Sequence, residues 1–202
     1  MKTTATFLTS LLITTAIFGD YVVFNSKYSN SQVFRAFSDT LVHGILGGLS
    51  SIVFFNYDNS LNFHSYITYI IFCTVVSSLI DIDHVIAAWS LQWKDITNAK
   101  QRGIFHATTF WLMIVSILTV YGYVIKKQSL YTLSAILLVS ALSHHLRDAN
   151  RRGIWMPPFG STPPLNKFVY IMLLGTCPHI LAYIYQHTKF MFYKHVYQDF
   201  VV

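Results

Sequence analysis

The sequence has 202 residues, of which 53% are hydrophobic and only 11% are charged, and its mean hydropathy is +0.47. Because a water-soluble domain carries about 25% charged residues, this composition excludes an ordinary soluble protein and predicts an all-α, polytopic membrane bundle embedded in the lipid bilayer. The formal net charge of +6 is explained by basic loops, so we predict no nucleic-acid partner.

The apolar runs predict about six membrane helices in a single domain, since six spans of ~20 residues use most of the chain. They cover residues 5–24, 39–55, 64–89, 104–125, 130–146 and 167–185. Asp20 and Tyr21 stand where a signal peptide would have its small-residue cleavage site, so we predict that the first helix is retained. The glycines around Gly47 predict a close helix contact, and Pro178 predicts a kink.

Lysine and arginine are unevenly divided between the two sides of the predicted bundle. Nine lie on the side of loops one, three and five, and five lie on the other side. The positive-inside rule therefore predicts that loops one, three and five are cytosolic and that both termini lie on the opposite side. The short to average spans favour an endomembrane such as the endoplasmic reticulum.

Ionisable residues recur at one end of successive predicted spans. They lie late in the first and third helices, early in the second and fourth, and at the end of the fifth: Asp20, Asp39, His43, Asp81, Asp83, His84, His106, His144 and Asp148. An up-and-down path brings all of them to the basic side of the membrane. Because such groups are costly at membrane depth, we predict a shared polar site, and a metal site is the leading interpretation.

The spacing of two clusters suits metal ligation. His144 and Asp148 are four residues apart and project from one helix face. In the run from Asp81 to His84, either the helix breaks near Ile82, or Asp81 binds the metal while Asp83 orients a histidine ring. For each cluster, the alternative is a polar helix end at the membrane interface. Carboxylates and imidazoles without thiolates suit a divalent metal such as zinc, manganese, iron or magnesium.

The loops beside this site are basic. Arg151 and Arg152, together with Arg102, predict an anion-binding site for a phosphate-bearing or lipid substrate, since guanidinium groups bind phosphate through charge-assisted hydrogen bonds. The alternative is that these residues only satisfy the positive-inside rule. A stiff loop rich in proline follows, and its Trp155 suits the headgroup layer.

The order of these motifs resembles the bacterial inner-membrane family typified by YdjM, whose members are described as membrane-bound metal-dependent hydrolases. The resemblance covers roughly residues 39–160 and is carried by His43-Gly44-x-Leu46-Gly47, Asp81-Ile82-Asp83-His84, Arg102-Gly103-x-x-His106, Ser143-His144-x-x-x-Asp148, Gly153 and Pro158-Phe159. Residues 1–38 are then an extra helix and loop, and residues 161–202 are the last helix and a short tail. The added first helix makes the chain look still closer to the eukaryotic transmembrane protein 267 group.

The resemblance implies a set of metal ligands, namely His43, Asp81, Asp83, His106, His144 and Asp148. His84 is a further candidate ligand, or supports the ligands together with Gln101. In a hydrolase, the catalytic general base would be whichever of Asp83 and His106 is not itself a ligand. The chain departs from the family pattern at three positions: Gln101 replaces a histidine, Phe105 a threonine and Ile80 a proline.

Three functions are compatible with these residues. The first is a metal-dependent hydrolase that acts on a phosphoester or a lipid headgroup at the membrane face. The second is a non-catalytic membrane protein that keeps a structural or vestigial metal site, and the Gln101 departure favours it. The third is a transporter, which is disfavoured because carriers place their site near the bilayer midplane.

Overall fold

The computed structural model describes residues 2–90, 92–97 and 102–197. Over these ranges the chain is almost entirely helical, and its helices in order are α1 (Lys2–Asn25), α2 (Gln32–Phe55), α3 (Phe63–Leu79), α4 (Asp83–Ala88), α5 (Trp93–Thr97), α6 (Thr108–Val124), α7 (Gln128–Arg152) and α8 (Lys167–Tyr197). Two short 3-10 turns, Ile80–Ile82 and Ile104–His106, precede α4 and α6. The predicted all-α membrane bundle is confirmed.

Five stretches in the described part of the chain are long and apolar enough to cross a membrane. They are Thr3–Asn25, Gln32–Phe55, Phe63–Ala88, Gln128–Arg152 and Lys167–Lys189. The remaining predicted span, residues 104–125, corresponds to α6, which is apolar but has only 17 residues. The count of five to six spans therefore agrees with the prediction.

The helices α2 and α7 form the centre of the bundle. Each packs against α3 and α8, and they also pack against each other, while α1 lies on the outer side of α2 and α6 on the outer side of α7. Because α2 and α7 also carry His43, His144 and Asp148, the most buried helices bring these polar residues into the core.

The predicted glycine contact joins α2 to α3. A Cβ atom added at Gly47 would lie 2.5 Å from the Cβ atom of Ser77, so only glycine lets the two backbones approach this closely. The approach places the Ser77 hydroxyl within 2.9 Å of the His43 carbonyl oxygen, to which it donates. Close packing at Gly47 thus sets the height of His43 relative to α3.

Several helix boundaries differ from the sequence-based prediction, since α2 begins at Gln32, α3 ends at Leu79 and α8 runs to Tyr197. Two further differences bear directly on the polar residues. Residues 104–125 do not form one helix, because Ala107 is extended (φ −81°, ψ 111°) and the Thr108 N–H donates to the Trp155 carbonyl oxygen instead of to its own chain segment. His106 therefore precedes the helix rather than starting it. The helix α7 runs on past Leu146 to Arg152, which keeps Asp148 on the same helix as His144.

A buried ion pair between Lys189 and Asp58 lies at the end of the bundle opposite to His43. The ammonium group of Lys189 on α8 donates to Asp58 at 2.6 Å and to the Ser60 hydroxyl at 2.8 Å. Both charged side chains are almost fully buried. Burial acts to raise the pKa of Asp58, but the hydrogen bonds from Lys189 and Ser60 hold this pKa below its usual value.

We expect the substitution Asp58→Asn to destabilise the protein by about 3–5 kcal/mol, because it leaves the Lys189 charge buried without a counter-charge. Because the pKa of Asp58 is lower in the folded state than in the unfolded state, the stabilisation by this ion pair is complete at neutral pH and is lost as the pH falls below about 4. Thermal unfolding in detergent at pH 7 measures the effect. The matched control Ser60→Ala, which removes one neutral hydroxyl, should cost only about 1 kcal/mol, and equal losses in the two variants would contradict the expectation.

Candidate metal centre

Four side-chain atoms from three helical segments face one another at one end of the bundle. They are Asp81 Oδ1, His106 Nε2, His144 Nε2 and Asp148 Oδ2, and we call them the four-donor group. His106 Nε2 lies 3.7 Å from Asp81 Oδ1 and 3.4 Å from Asp148 Oδ2. His144 Nε2 lies 3.6 Å and 3.5 Å from the same two oxygens, and 3.5 Å from His106 Nε2.

These distances fit the size of a tetrahedral metal site. Ligands at about 2.0–2.1 Å from a zinc ion are separated from each other by about 3.3–3.4 Å in a regular tetrahedron. The five separations that involve a histidine nitrogen span 3.4–3.7 Å, which is close to this value. Ligand atoms also lie close together in two sets of three, His43 with His144 and Asp148, and Asp81 with His84 and His106. The chemistry of two imidazoles and two carboxylates also suits a divalent ion of the zinc or manganese type.

The tautomer of His144 is fixed by its backbone partner. His144 Nδ1 lies 2.8 Å from the carbonyl oxygen of Ser77, and a carbonyl can only accept, so Nδ1 carries the proton. The lone pair of Nε2 therefore points into the four-donor group. Metal-binding histidines commonly receive this kind of orienting contact through their other ring nitrogen.

His106 is oriented in the same way by Asp83. The Asp83 Oδ2 atom accepts from the backbone N–H groups of Phe105 and His106 at 2.7 and 3.1 Å, and it lies 3.3 Å from His106 Nδ1. Asp83 is buried and lies on the far side of the ring from the four-donor group. Burial acts to lower the pKa of His106, but contacts with Asp148, Asp81 and Asp83 raise it to about 11. The surrounding carboxylates therefore favour a positive charge at this position.

His43 is a buried imidazole with no hydrogen-bond partner. Its side chain has no solvent exposure, and both ring nitrogens lack a partner within hydrogen-bonding geometry among the residues that the structure describes. The ring stacks on His144 at 3.7 Å between centroids, and Nε2 lies 3.4 Å from Asp148 Oδ1. Because a buried polar group without a partner is costly, His43 is a further donor available to a cation beside the four-donor group.

Asp83 lies behind the His106 ring, as one of the two alternatives for the run from Asp81 to His84 predicted, and His84 lies at the edge of the four-donor group. Asp83 orients His106, whereas His84 Nε2 lies 3.9 Å from Asp81 Oδ1 and its side chain is 27% exposed. The physical reason is the 3-10 turn over Ile80–Ile82, which ends the regular α-helical progression just before Asp83. Asp81 is held in turn by the Thr40 hydroxyl, which donates to Oδ2 at 2.8 Å.

The predicted anion-binding arginines lie in different surroundings. Arg102 donates to the backbone carbonyl groups of Arg152 and Gly153, where it caps the end of α7. Arg151 is paired with the carboxylates of Asp39 and Asp148. The Arg152 side chain is exposed beside the site. Gln101, predicted to support the ligands, lies outside the described residues.

The glycine at position 103 leaves room for the Asp83 carboxylate. A Cβ atom at Gly103 would lie 1.8 Å from Asp83 Oδ1, so any side chain there must displace the carboxylate from the N–H groups that it accepts. We expect Gly103→Ala to destabilise the protein by about 2–3 kcal/mol through these lost buried hydrogen bonds. Thermal unfolding in detergent is the measurement. Gly175→Ala, whose new methyl would meet side-chain carbons of Ile13 and Thr9 at 3.1–3.6 Å, is the matched control, and an equal effect at both glycines would contradict this explanation.

Sequence reasoning missed a charged network directly beneath the site. Arg147 is 1% exposed, and its Nε atom donates to Asp20 Oδ1 at 3.0 Å while Nη1 donates to Asp39 Oδ1 at 2.5 Å. Asp20 also accepts from the hydroxyl of Tyr170. The network therefore joins α1, α2, α7 and α8. The signal was present in the sequence, since Arg147 lies within the motif from Ser143 to Asp148.

His145 and His179 lie outside the four-donor group. His145 Nδ1 lies 2.9 Å from the Thr108 hydroxyl, and its Nε2 atom lies 3.0 Å from the Phe105 carbonyl oxygen. It thereby ties α7 to the segment that carries His106. His179 lies between the hydroxyls of Thr9 and Tyr57, which agrees with its omission from the predicted ligand set.

Known proteins resemble the chain over most of its length. Transmembrane protein 267 from Bos taurus is 33% identical over 155 residues, which are 76% of this chain and 70% of the relative. The Danio rerio protein of the same name is 31% identical over 73% of this chain and 66% of its own length, and the Mus musculus protein is 31% identical over 74% and 68%. No protein-family model and no solved structure matches the chain. The chain belongs to the transmembrane protein 267 family.

Proposed function

We propose that the chain is a membrane-embedded metalloprotein that hydrolyses a phosphoester or lipid headgroup, as its resemblance to the YdjM-like hydrolases implies. The observation that carries this proposal is the four-donor group, in which the five separations that involve a histidine nitrogen, 3.4–3.7 Å, are close to those between the ligands of a tetrahedral ion. The buried and unpartnered imidazole of His43 supports it, because a cation would satisfy that ring. We assign the metal to the divalent class, with zinc as the best geometric fit.

The proposed ligands have different tasks. Asp81, His106, His144 and Asp148 hold the ion, and His43 is a further donor next to Asp148. Such an ion would activate a water molecule and polarise the scissile bond, and the water would need a position on the ion beyond the four protein donors, as in a five-coordinate site. In the proposed reaction, water adds across a P–O ester bond, so that one product is an alcohol and the other is a phosphate.

The orienting residues act through the ligands. Asp83 holds the His106 ring through Nδ1, and Ser77 holds the His144 ring. The Oδ2 atom of Asp83 accepts hydrogen bonds from two backbone N–H groups, and Asp83 is therefore a poor general base. His84 is the imidazole with the greatest exposure at the edge of the group, and we assign to it the proton that water releases.

Metal analysis of detergent-purified protein tests the proposed site. We expect about one equivalent of a divalent transition metal in the wild type, and loss of it in both Asp81→Asn and His144→Ala, because each variant removes one of the four donors. His64→Ala is the matched control, since His64 lies at the opposite end of α3 and is exposed. A wild-type protein without metal, or one whose metal survives both substitutions, would contradict the proposal.

Phosphate release then separates a hydrolase from a non-catalytic metal protein. A panel of phospholipids in mixed micelles is incubated with the wild type and with Asp81→Asn. The hydrolase proposal predicts release that depends on added divalent metal and is absent in the variant. Stoichiometric metal without release from any phospholipid would instead support a structural role for the ion.

A further inference from the structure

An open cleft leads from the lipid-facing surface to the four-donor group. It has a volume of about 340 Å³ and lies between α2, the segment from α3 to α4, and α5. Binding clefts for small ligands have volumes of about 300–1,000 Å³, so this one is large enough for part of a lipid. The apolar side chains that line it are Phe37, Leu79, Ile82, Val85, Trp93 and Ile96.

The inner end of this cleft is polar and belongs to the candidate metal centre. Asp81 and His84 both line it. Asp81 faces His106 and His144 through Oδ1 and accepts from Thr40 through Oδ2. A ligand in the cleft would therefore have its apolar part against the outer walls and its polar end beside the four-donor group.

The outer end of the cleft opens on a surface suited to the bilayer. Phe37 is 72% exposed and Leu79 is 51% exposed, and both lie on helices long and apolar enough to cross a membrane. Trp89 and Trp93 are exposed at the same end of the bundle, where tryptophan is typical of the headgroup layer. The cleft thus runs from the acyl-chain region toward the depth at which lipid headgroups lie.

A second opening borders the four-donor group through His106 and Asp148. It is narrow, with a volume of about 10 Å³ that suits at most one water molecule, and Arg152, His145 and Trp155 also line it. Of these two openings, only the apolar cleft is therefore large enough to hold part of a ligand.

We propose that the cleft between α2, α3–α4 and α5 binds one acyl chain of a phospholipid and presents its headgroup phosphate to the four-donor group. A water-soluble phosphoester would gain nothing from the six apolar side chains, whereas an acyl chain would bury surface against all of them. The assignment rests on the proposed function, because the carboxylate of Asp81 would repel a phosphate in the absence of a bound cation.

Photo-crosslinking in nanodiscs tests the cleft directly. The probe is phosphatidic acid that carries a diazirine near the end of one acyl chain, in a phosphatidylcholine bilayer, and adducts are mapped by peptide mass spectrometry. We expect adducts on peptides with residues 37 and 79–85 to exceed those on the outer face of α3, at Ile71 and Val75, by at least five-fold. Unlabelled phosphatidic acid should compete, and glycerol 3-phosphate should not.

Substitutions that fill the cleft provide the matched comparison. Val85→Trp should abolish the excess of cleft adducts, whereas Val75→Trp, which adds the same bulk on a surface of α3 outside the cleft, should leave it unchanged. Ile96→Trp fills the cleft from the opposite wall and serves where Val85→Trp fails to fold. Metal content is measured on every sample and reports whether the centre is intact.

The outcomes separate this inference from the proposed function. Loss of the excess adducts in a filled cleft that retains its metal supports the acyl-chain site. A wild type that holds metal but has no excess of cleft adducts, or one in which glycerol 3-phosphate competes equally well, overturns the acyl-chain site and leaves the metal centre in place. A wild type without metal overturns the proposed function, and the headgroup assignment with it.

Discussion

We expect Arg147→Met to destabilise this bundle by about 3–5 kcal/mol. The guanidinium group is buried between Asp20 and Asp39, and its removal leaves Asp20 without a counter-charge and Asp39 with only the partly exposed Arg151 as a partner. Because Asp20 lies on α1 and Asp39 on α2, the substitution also releases the contact that holds both helices to α7. For a chain of this length, the melting temperature should fall by roughly 10 °C.

Thermal unfolding in detergent measures this loss, and two further variants identify its cause. Arg152→Met removes an exposed arginine from the same helix end and should change the stability by about 0.5 kcal/mol or less. The triple variant Asp20→Asn, Asp39→Asn, Arg147→Met removes all three charges and should regain most of the stability. If the triple variant is no more stable than Arg147→Met alone, buried charge is not the cause of the loss.

The position of the candidate centre follows from the sequence once each ionisable residue is assigned to one end of its predicted helix. Each predicted helix carries its ionisable residues at one end, and alternation of helix direction then brings those ends together. For this reason Asp81, His106 and His144, which are far apart in the chain, were expected near one another, and their donor atoms lie 3.5–3.7 Å apart. Neither the bulk composition nor any single motif would have given this result.

The roles of individual residues at the centre could not be predicted in the same way. For the run from Asp81 to His84 the sequence left two alternatives, a helix break near Ile82 and an Asp83 that orients a histidine ring, and the structure combines a 3-10 turn over Ile80–Ile82 with the contact of Asp83 with His106. A change of helix type over three residues has no clear periodicity signal that would have chosen between the alternatives. The break at Ala107 depends on a hydrogen bond from Thr108 to Trp155, which lies almost fifty residues later. Such tertiary contacts determine where His106 points, and local sequence does not contain them.

The ion pairs below the centre could also not be predicted from the sequence alone. Arg151 was expected to bind an external anion, yet it is paired with Asp39 and Asp148, while Arg147 bridges Asp20 and Asp39. From sequence alone, the positive-inside rule explains every arginine near loop five equally well. Only the positions of α1 and α2 against α7 show which guanidinium groups have carboxylate partners, and this leaves Arg152 as the exposed cation at the polar opening.

We expect Asp148→Asn to weaken metal binding by roughly 100-fold or more, since a structural zinc site gains about 10–16 kcal/mol from its ligands together and this substitution removes one of four donors. The two carboxylate oxygens of Asp148 have separate partners. Oδ2 faces His106 and His144 at 3.4 and 3.5 Å, whereas Oδ1 faces His43 and Arg151. The loss of metal affinity should therefore come from the change at Oδ2. Metal binding should not require the contact between Oδ1 and Arg151.

Competition with a chromogenic chelator measures the affinity of each variant. Arg151→Gln is the matched comparison, because it removes the partner of Oδ1 and leaves Oδ2 in place, so we expect its metal affinity to change less than ten-fold, within the range of supporting residues. Asp83→Asn should fall between these two, with a loss of about 10–100-fold, since it frees the His106 ring without removing a donor. If Arg151→Gln and Asp148→Asn weaken binding equally, the ion pair and not the four-donor group determines the affinity, and the ligand assignment of Asp148 is wrong.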